Sequence, residues 1–483
     1  MNLLIPLLNA ARGLAEAAKP EEATRERARY RIAVPVDARS HLATGWLLLG
    51  TGALVASGLF SVLLVLSRTP GVNKLVPVAD LFHVCLVVHV DLSVLVWFAA
   101  FAGLLWALIG PSSATMVRWC ALASCCVGTV LIASAPFAQT ATPIMANYIP
   151  VLDGSWFLTG LAFLAIGLGV EVATTLISAQ PLGARLDGTA ALRLGLLAAA
   201  FSAAVALFAF WWSWQALPSG LEGKAYYELL FWGGGHVLQF TWTLLTLVAW
   251  LWLADAIGAT VPLSPRVSLL LFGLALVLVF CTPFVYIAYD VTSLEHRRLL
   301  TWMMRAGGGL AILPVSLAAV LAVWERGTVR AEARPLRAAL IMSLVLFAAG
   351  GLIGSAINGS DVRIPAHYHG CIVGVTLGFM GLAYHLLPRL GFRAPTSRLT
   401  LLQPYVYGIG QLLHIGGLVW SGGYGVQRKV AGAAQVLGSV QEVAGMALMG
   451  LGGLIAIVGG LLFVVVVIGC LHAGRQRAHV SYG

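Results

Sequence analysis

The chain has 483 residues, of which 59% are hydrophobic and only 10% are charged, whereas a soluble domain carries about 25% charged residues. This composition excludes a soluble globular protein, because no soluble fold could hide so much apolar surface. The net charge of +10 does not indicate nucleic-acid binding. The basic residues lie almost entirely between apolar runs, where lipid headgroups and the preference of positive charge for cytoplasmic loops account for them.

Apolar stretches long enough to cross a bilayer, about twenty residues each, follow one another from residue 43 onward. They lack the alternating pattern of about ten residues that is typical of barrel strands. The twelve stretches are 43–67, 79–109, 114–137, 155–180, 189–217, 226–256, 266–289, 300–324, 335–357, 364–388, 402–421 and 443–471. The sequence therefore predicts an all-α integral membrane protein with one domain of twelve transmembrane helices at residues 43–472.

The segments outside this domain are predicted to be cytoplasmic. Residues 1–42 begin with a short apolar patch followed by charge, the reverse of the order in a signal peptide. Residues 473–483 form a short basic tail. With the N-terminus inside, the inner loops carry most of the arginines, and the outer loop at 138–154 has no Lys or Arg. We expect both termini to be cytoplasmic and the protein to lie in a bacterial inner membrane.

Four of the histidines within the apolar stretches are informative, because an ionisable side chain there is costly and marks a functional site by default. His89 is in helix 2, His236 in helix 6, and His367 and His369 open helix 10, so all four share a depth near the outer face. At 100° per residue, His367 and His369 point roughly 160° apart, so they cannot bind the same iron, but each can bind a different haem. His89 is then the natural partner for a bis-histidine haem, in which both axial positions are filled. For any single histidine, the alternative is a hydrogen bond to a neighbouring helix.

One segment is recognisable. AHYHGCIVGVTLGFMGLAYHLLPRLG (366–391) resembles the tenth helix of haem-copper oxidases and of the related nitric oxide reductases. The similarity extends to HVDLSVLVWF (89–98), to GGGHVLQFTW (233–242) and to VQRK (426–429) between helices 11 and 12. The resemblance implies a twelve-helix bundle like subunit I, the catalytic subunit of this superfamily.

The resemblance also implies the haem ligands. His89 and His369 would ligate a low-spin haem, expected to be of b type, and His367 would be the proximal ligand of a high-spin haem. Arg428 and Lys429 match the basic pair that the family sets against the haem propionates, which suits an outward-facing pair of charges. A solvated positive loop is the alternative for that pair. Asp361 falls near the acidic residue that the family has by the propionates, with its spacing off by one.

A second metal is implied beside the high-spin haem. His236 matches the helix 6 histidine that binds this metal, which is copper in oxidases and non-haem iron in nitric oxide reductases. The family's His-His pair after helix 7 is replaced by Tyr289 and Asp290 in YIAYDVTSLEHRRLL, with His296 six residues beyond Asp290. An oxygen ligand suits iron better than copper. We therefore expect a site of His236, Asp290 and His296, with Gln239 as a further ligand or hydrogen-bonding group; a lost or altered second metal is the alternative.

The departures from the family pattern favour one reaction. Phe240 stands where oxygen-reducing members often have a tyrosine, and Ala318 stands where pumping relatives have a lysine. Coupling of two NO molecules needs only two electrons. The sequence thus favours reduction of nitric oxide to nitrous oxide without proton pumping. The alternatives are an O2-reducing cytochrome c oxidase subunit and a non-catalytic electron-transfer or gas-sensing relative that has lost the second metal.

An external source of electrons is also implied. The seven cysteines lie inside apolar runs without CxxC or CxxCH spacing, which excludes a disulfide framework and a covalently attached c-type haem. We expect an external electron donor, or a small partner subunit that carries haem c or copper.

Overall fold

The computed structural model describes residues 29–70, 79–183, 185–430 and 435–473. Long helices dominate these residues, joined by short connections, and a two-stranded antiparallel hairpin of β1 (Thr142–Ile144) and β2 (Val151–Asp153) follows the third helix. The helices are α1 (Ala38–Arg68), α2 (Ala79–Val90, continued by the π-helical turn Asp91–Val96 and by Trp97–Ile109), α3 (Thr115–Ala138), α4 (Ser155–Ile177), α5 (Gly188–Ala216), α6 (Gly223–Ala256), α7 (Pro265–Val277, continued by Val279–Cys281 and Thr282–Ala288), α8 (Leu294–Arg326), α9 (Arg334–Ser355), α10 (Arg363–Leu386), α11 (Arg398–Gly423) and α12 (Val440–His472).

The predicted all-α membrane bundle is confirmed. Among the described residues, eleven helices are long and apolar enough to cross a bilayer. The remaining helix, α11, has 26 residues, more than the about twenty that a crossing needs, but it contains Gln403, Gln411 and His414. Length and composition thus support eleven of the twelve predicted spans, and length alone supports α11.

The predicted terminal segments, residues 1–42 and 473–483, lie only partly within the described residues. Residues 1–28 and 474–483 lie outside the described residues. Residues 29–37 pack against the connection between α6 and α7, where the Tyr30 hydroxyl donates to the Leu263 carbonyl (2.7 Å) and lies 2.6 Å from the Ser268 hydroxyl. Helix α1 then begins at Ala38, a few residues before the predicted start at 43.

Helix α8 begins at Leu294, about two turns before the start predicted from hydropathy. The Ser293 hydroxyl accepts a hydrogen bond from the backbone N–H of His296 (3.1 Å), which satisfies one of the N–H groups that a helix start leaves unpaired. This cap extends the helix into the charged residues ahead of the apolar run. His296 therefore lies in the first turn of α8 and not in a loop.

Three helices form the centre of the bundle. In their most apolar windows, 78% of the residues of α2 are buried, and 83% in both α6 and α10, against 33% in α1. Helices that are apolar on all sides belong in such a centre. These three helices carry His89, His236, His367 and His369, so the fold places the predicted ligands in its most enclosed part.

Helices α11 and α12 approach each other closely through glycines. A Cβ on Gly410 would lie 2.5 Å from the backbone nitrogen of Ala456, a distance that no side chain can adopt. Small residues at such a contact let two backbones pack tightly, the usual way in which helices associate in a membrane. This packing fixes the position of α11 beside α12.

Candidate functional site

Three of the predicted ligands share one hydrogen-bonding pattern, in which a main-chain carbonyl lies at the Nδ1 atom of the imidazole. Because a carbonyl can only accept, Nδ1 carries the proton and Nε2 presents a lone pair. Histidines that bind metals have this arrangement, with an outer partner fixing the ring. The carbonyls are those of Ser57 for His89 (3.1 Å), Trp232 for His236 (2.7 Å) and Gly350 for His367 (2.7 Å).

The two histidines of the HxH motif lie against different helices. His367 contacts α9, where a Cβ on Gly354 would lie 2.5 Å from its Nδ1, so a glycine is required there. The ring of His369 lies against the ring of His414 in α11, with centroids 4.9 Å apart and planes at 63°. The motif therefore presents one imidazole to α9 and the other to α11.

His89 and His369 come together from α2 and α10. His369 is close enough to His89 and to Arg68 to interact electrostatically with both. Both rings are only half-buried, although they belong to two of the most buried helices. The Ser57 hydroxyl, 2.8 Å from Nδ1 of His89, adds a second outer partner. Two imidazoles with accessible ring surface in the centre of the bundle fit the two axial positions of one haem.

The start of α10 pairs with the loop that carries the VQRK sequence. Asp361 forms an isolated antiparallel bridge with Gln427, and the N–H of Val362 donates to the carbonyl of Val426 (3.0 Å). The Asp361 carboxylate is bound by the guanidinium of Arg363 (2.7 Å), which lowers the pKa of that carboxyl. The structure thus brings Asp361 beside the loop of Arg428 and Lys429, while its charge is already paired with Arg363.

The two basic residues of that loop have different contacts. Arg428 interacts electrostatically with Tyr368, between the two histidines of the HxH motif. Lys429, in contrast, donates from its ammonium to the carbonyl of Met145 and to Oδ1 of Asn147 (3.3 Å). Lys429 also has a φ of 60°, a left-handed conformation that side chains other than glycine rarely adopt. The strained backbone at Lys429 accompanies a side chain that binds the loop between β1 and β2.

The hairpin that Lys429 binds lies over His236. The ring of Tyr148, three residues after Met145, is 4.7 Å from the His236 ring, with the planes at 50°. Asn147 also donates to the carboxylate of Glu228 in α6 (2.9 Å). Lys429 therefore helps to hold Tyr148 against His236.

The charge of Lys429 should depend on pH near neutrality. Burial, and to a lesser degree the neighbouring Arg428, lower its pKa to about 8. Because the closed hairpin lowers this pKa from its ordinary value of 10.5, the charged ammonium disfavours the closed hairpin, and this cost is relieved as the pH rises through 8 and Lys429 loses its proton. We expect hydrogen exchange in residues 139–150 to gain about tenfold in protection from pH 7 to pH 9.5, after correction for intrinsic rates, which corresponds to about 1.4 kcal/mol.

Two variants test this dependence. Lys429→Met should remove this pH step, and Lys429→Arg should remove it as well, since the guanidinium stays charged over the whole range. An unchanged pH step in Lys429→Met would show that another group controls the hairpin.

His236 and His296 form a second centre beside the first. They are close enough to interact electrostatically, and Nε2 of His236 lies 3.4 Å from the Thr301 hydroxyl. His296 is fully buried (0% exposed), and neither of its ring nitrogens has a hydrogen-bond partner in the described residues. An unpaired buried polar group costs about 1–3 kcal/mol. Such a group calls for an explanation, and a ligand at one ring nitrogen is a direct one.

Asp290, also predicted for this centre, lies close enough to His296 to interact with it electrostatically, but its carboxylate is bound elsewhere. Asp290 is exposed, and its Oδ1 accepts from the backbone N–H of Thr292 (2.7 Å) and from its hydroxyl (2.5 Å), which lowers the pKa of the carboxyl. Gln239 is half-buried on α6. In the described parts of the chain, no three His, Cys, Asp or Glu side chains converge as a metal site would require. These residues thus supply two imidazoles, and they do not fit a complete three-ligand site.

Three residues near the site were not among the predicted site residues, namely Arg68, Ser57 and His414. Arg68, at the end of α1, donates to the carbonyl of Gln427 (3.3 Å) and to Oε1 of Gln435 (3.2 Å). Ser57 in α1 contacts His89 in α2. His414 is a further intramembrane histidine, and its place in an apolar run was the signal that could have identified it.

The fold defines a helical membrane protein with histidines at the centre of its bundle, three of them fixed through Nδ1 by main-chain carbonyls. The family model described as cytochrome c and quinol oxidase polypeptide I matches residues 41–462. The chain belongs to this family, and membership in the haem-copper oxidase superfamily is confirmed. The protein is therefore an integral membrane oxidoreductase of a family that uses haem and a second metal.

Two similar proteins have no assigned activity. An uncharacterised protein of Rickettsia prowazekii (strain Madrid E) is 29% identical over 493 residues, covering 88% of this chain and 94% of its own. An uncharacterised protein of Aquifex aeolicus (strain VF5) is 26% identical over 365 residues, covering 74% of this chain and 88% of its own. These similarities span most of the bundle, but they do not distinguish nitric oxide from O2 as the substrate.

Proposed function

We propose that this protein is a respiratory gas reductase that converts nitric oxide to nitrous oxide, 2 NO + 2 e⁻ + 2 H⁺ → N2O + H2O, without pumping protons. The observation that carries the proposal is the composition of the second centre, His236 and His296, which offers two imidazoles where copper-containing members have three. A metal with fewer imidazoles and room for oxygen ligands suits iron better than copper. Asp290, which interacts electrostatically with His296, is our candidate for an oxygen ligand, and it would have to exchange Thr292 for the metal.

The haem ligands in this proposal are histidines whose Nε2 atoms are free to bind iron. His89 and His369 suit a low-spin haem of b type, and His367 suits a high-spin haem on the opposite side of α10. When bound, these groups supply the electrons for the reaction. The protein fixes the rings through the carbonyls of Ser57 and Gly350, keeps the site apolar with Phe240, and covers His236 with Tyr148. Phe240, which would contact any side chain at Gly307 (2.7 Å), carries no hydroxyl and cannot donate an electron and a proton as a tyrosine can.

An O2-reducing oxidase is the second candidate, and one contact favours it. The ring of Tyr286 lies 4.6 Å from the ring of His296 at 88°. A tyrosine in this place can donate an electron and a proton. Its hydroxyl, however, lies 2.8 Å from that of Ser213 and 3.1 Å from the carbonyl of Ala209. The phenol thus points toward α5, away from His296.

The test is the metal and haem content of the purified protein, followed by gas consumption with a reduced chemical donor. We expect two haems, a third iron, little copper, and NO consumption faster than O2 consumption. One copper per two haems with O2 consumption would establish an oxidase. Two haems with no further metal and no gas consumed would establish a non-catalytic electron-transfer or gas-sensing protein. In the cell, the electrons would come from an external donor or from a small subunit that carries haem c or copper. The protein would lie in a bacterial inner membrane with both termini cytoplasmic.

A further inference from the structure

His414 has the same hydrogen-bonding state as the three fixed ligands. Its Nδ1 lies 3.0 Å from the carbonyl of Met449 in α12. That carbonyl can only accept, so Nδ1 carries the proton and the lone pair of His414 is on Nε2. The chain therefore holds a fourth intramembrane imidazole in the form that binds a metal, on a helix where the family resemblance implies no ligand.

The backbone around His414 is built to hold the ring in place. A Cβ on Gly453 of α12 would lie 3.2 Å from its Nδ1, so a side chain there would press on the ring. The Met449 carbonyl comes from the same face of α12, one turn away. Because the glycine contacts fix α11 against α12, the imidazole of His414 has a defined position.

His369, the predicted haem ligand beside it, is less constrained. Among the described residues, neither ring nitrogen of His369 makes a hydrogen bond, whereas His89, His236 and His367 each have a carbonyl partner. The ring of His369 contacts the ring of His414 at 4.9 Å. His414 also lies close enough to His89 to interact with it electrostatically. Three histidines thus gather at one haem site that can use two.

We propose that His414 is an alternative axial ligand of the low-spin haem and exchanges with His369 for the position opposite His89. In the exchange, Nε2 of His369 leaves the iron and Nε2 of His414 takes its place. Both would be neutral imidazoles that bind through Nε2, so one iron–nitrogen bond breaks, another forms, and no proton or electron is transferred. The inference rests on the proposed low-spin haem at His89.

The experiment compares optical and electron paramagnetic resonance spectra of the purified wild-type protein, His369→Ala, His414→Ala and the double variant. We expect His369→Ala to retain a six-coordinate, low-spin bis-histidine haem with altered g values, because His414 replaces the missing ligand. His414→Ala should remain low-spin. The double variant should be five-coordinate and high-spin at this haem, and imidazole added to it should restore the low-spin form. His385→Ala, a buried histidine near the other end of α10, is the control and should match the wild type.

The outcomes separate the two proposals. A wild-type protein without a low-spin haem would refute the proposed function before this inference is tested. A wild type with that haem, together with a His369→Ala variant that is high-spin until imidazole is added, would show an intact site that His414 does not reach, and would overturn the exchange. Loss of the haem from His369→Ala, while His385→Ala keeps it, would overturn it as well.

Discussion

Replacing His89 by alanine is expected to remove the low-spin haem signal and to lower electron transfer from any donor by about 100-fold or more. The ring of His89 is fixed by the carbonyl and hydroxyl of Ser57 in α1, so its Nε2 points in one direction. Loss of even an outer partner of a metal ligand costs about 10–100-fold, and loss of the ligand itself should cost at least as much. The measurement is the reduced-minus-oxidised spectrum together with donor-dependent turnover.

A second histidine on the same helix provides the control. His83 lies six residues before His89, and its Nε2 lies 3.2 Å from the carbonyl of Lys429. His83→Ala should therefore keep both haem signals. If His89→Ala kept a normal low-spin spectrum, His89 would be a structural histidine and the low-spin haem would have to lie elsewhere in the bundle.

The sequence allowed accurate prediction of what depends on local pattern. Hydropathy placed the helices within a few residues, because a span of about twenty apolar residues is a local requirement of the bilayer. The exception at the start of α8 has a local cause, the Ser293 cap, which a search for capping residues would have found. The HxH spacing likewise required the two rings to face different neighbours, and α9 and α11 are those neighbours.

Contacts between distant segments could not be predicted in this way. The partner of His89 is 32 residues away in the chain, and the partners of Lys429 are 284 and 282 residues away. Lys429 was expected to face the haem propionates because Arg428 and Lys429 together match the basic pair that the family sets against them. The structure gives its ammonium to the hairpin over His236, since a left-handed backbone at Lys429 turns the side chain that way. Only the packing of the β1–β2 hairpin against the loop between α11 and α12 reveals this contact of Lys429.

The second centre shows why the family can be assigned from the sequence more readily than the reaction. Family membership depends on motifs that lie on single helices, such as the HxH pair. The proposed metal ligands instead come from α6 and α8, and the turn before α8 departs from the family pattern at Tyr289 and Asp290. In the described residues no three such ligands converge, yet His296 is buried and neither of its ring nitrogens has a hydrogen-bond partner. The proposed metal, and with it the proposed gas, therefore rests chiefly on His296.

Replacing His296 by leucine is the most discriminating change at this centre. If Nε2 or Nδ1 of His296 binds the second metal, His296→Leu should lose that metal and lower NO reduction by about 100-fold or more, since removing even an outer partner of a metal ligand costs up to that factor. The fold should not suffer, because leucine replaces an unpaired buried imidazole whose desolvation costs about 1–3 kcal/mol. We expect the thermal unfolding temperature to stay equal or rise, measured beside metal content and turnover.

The opposite result has an equally clear physical meaning. If His296→Leu keeps its metal and its turnover while gaining stability, then His296 is only an unsatisfied polar residue, and the second metal depends on His236 with ligands from elsewhere. His385→Leu serves as the matched control, because His385 is also buried but lies against Trp252 (5.9 Å) at a distance from both centres. Its turnover should equal that of the wild type. A similar loss of turnover in both variants would mean that leucine disturbs the bundle at any buried histidine, and the assignment of His296 to a metal would fail.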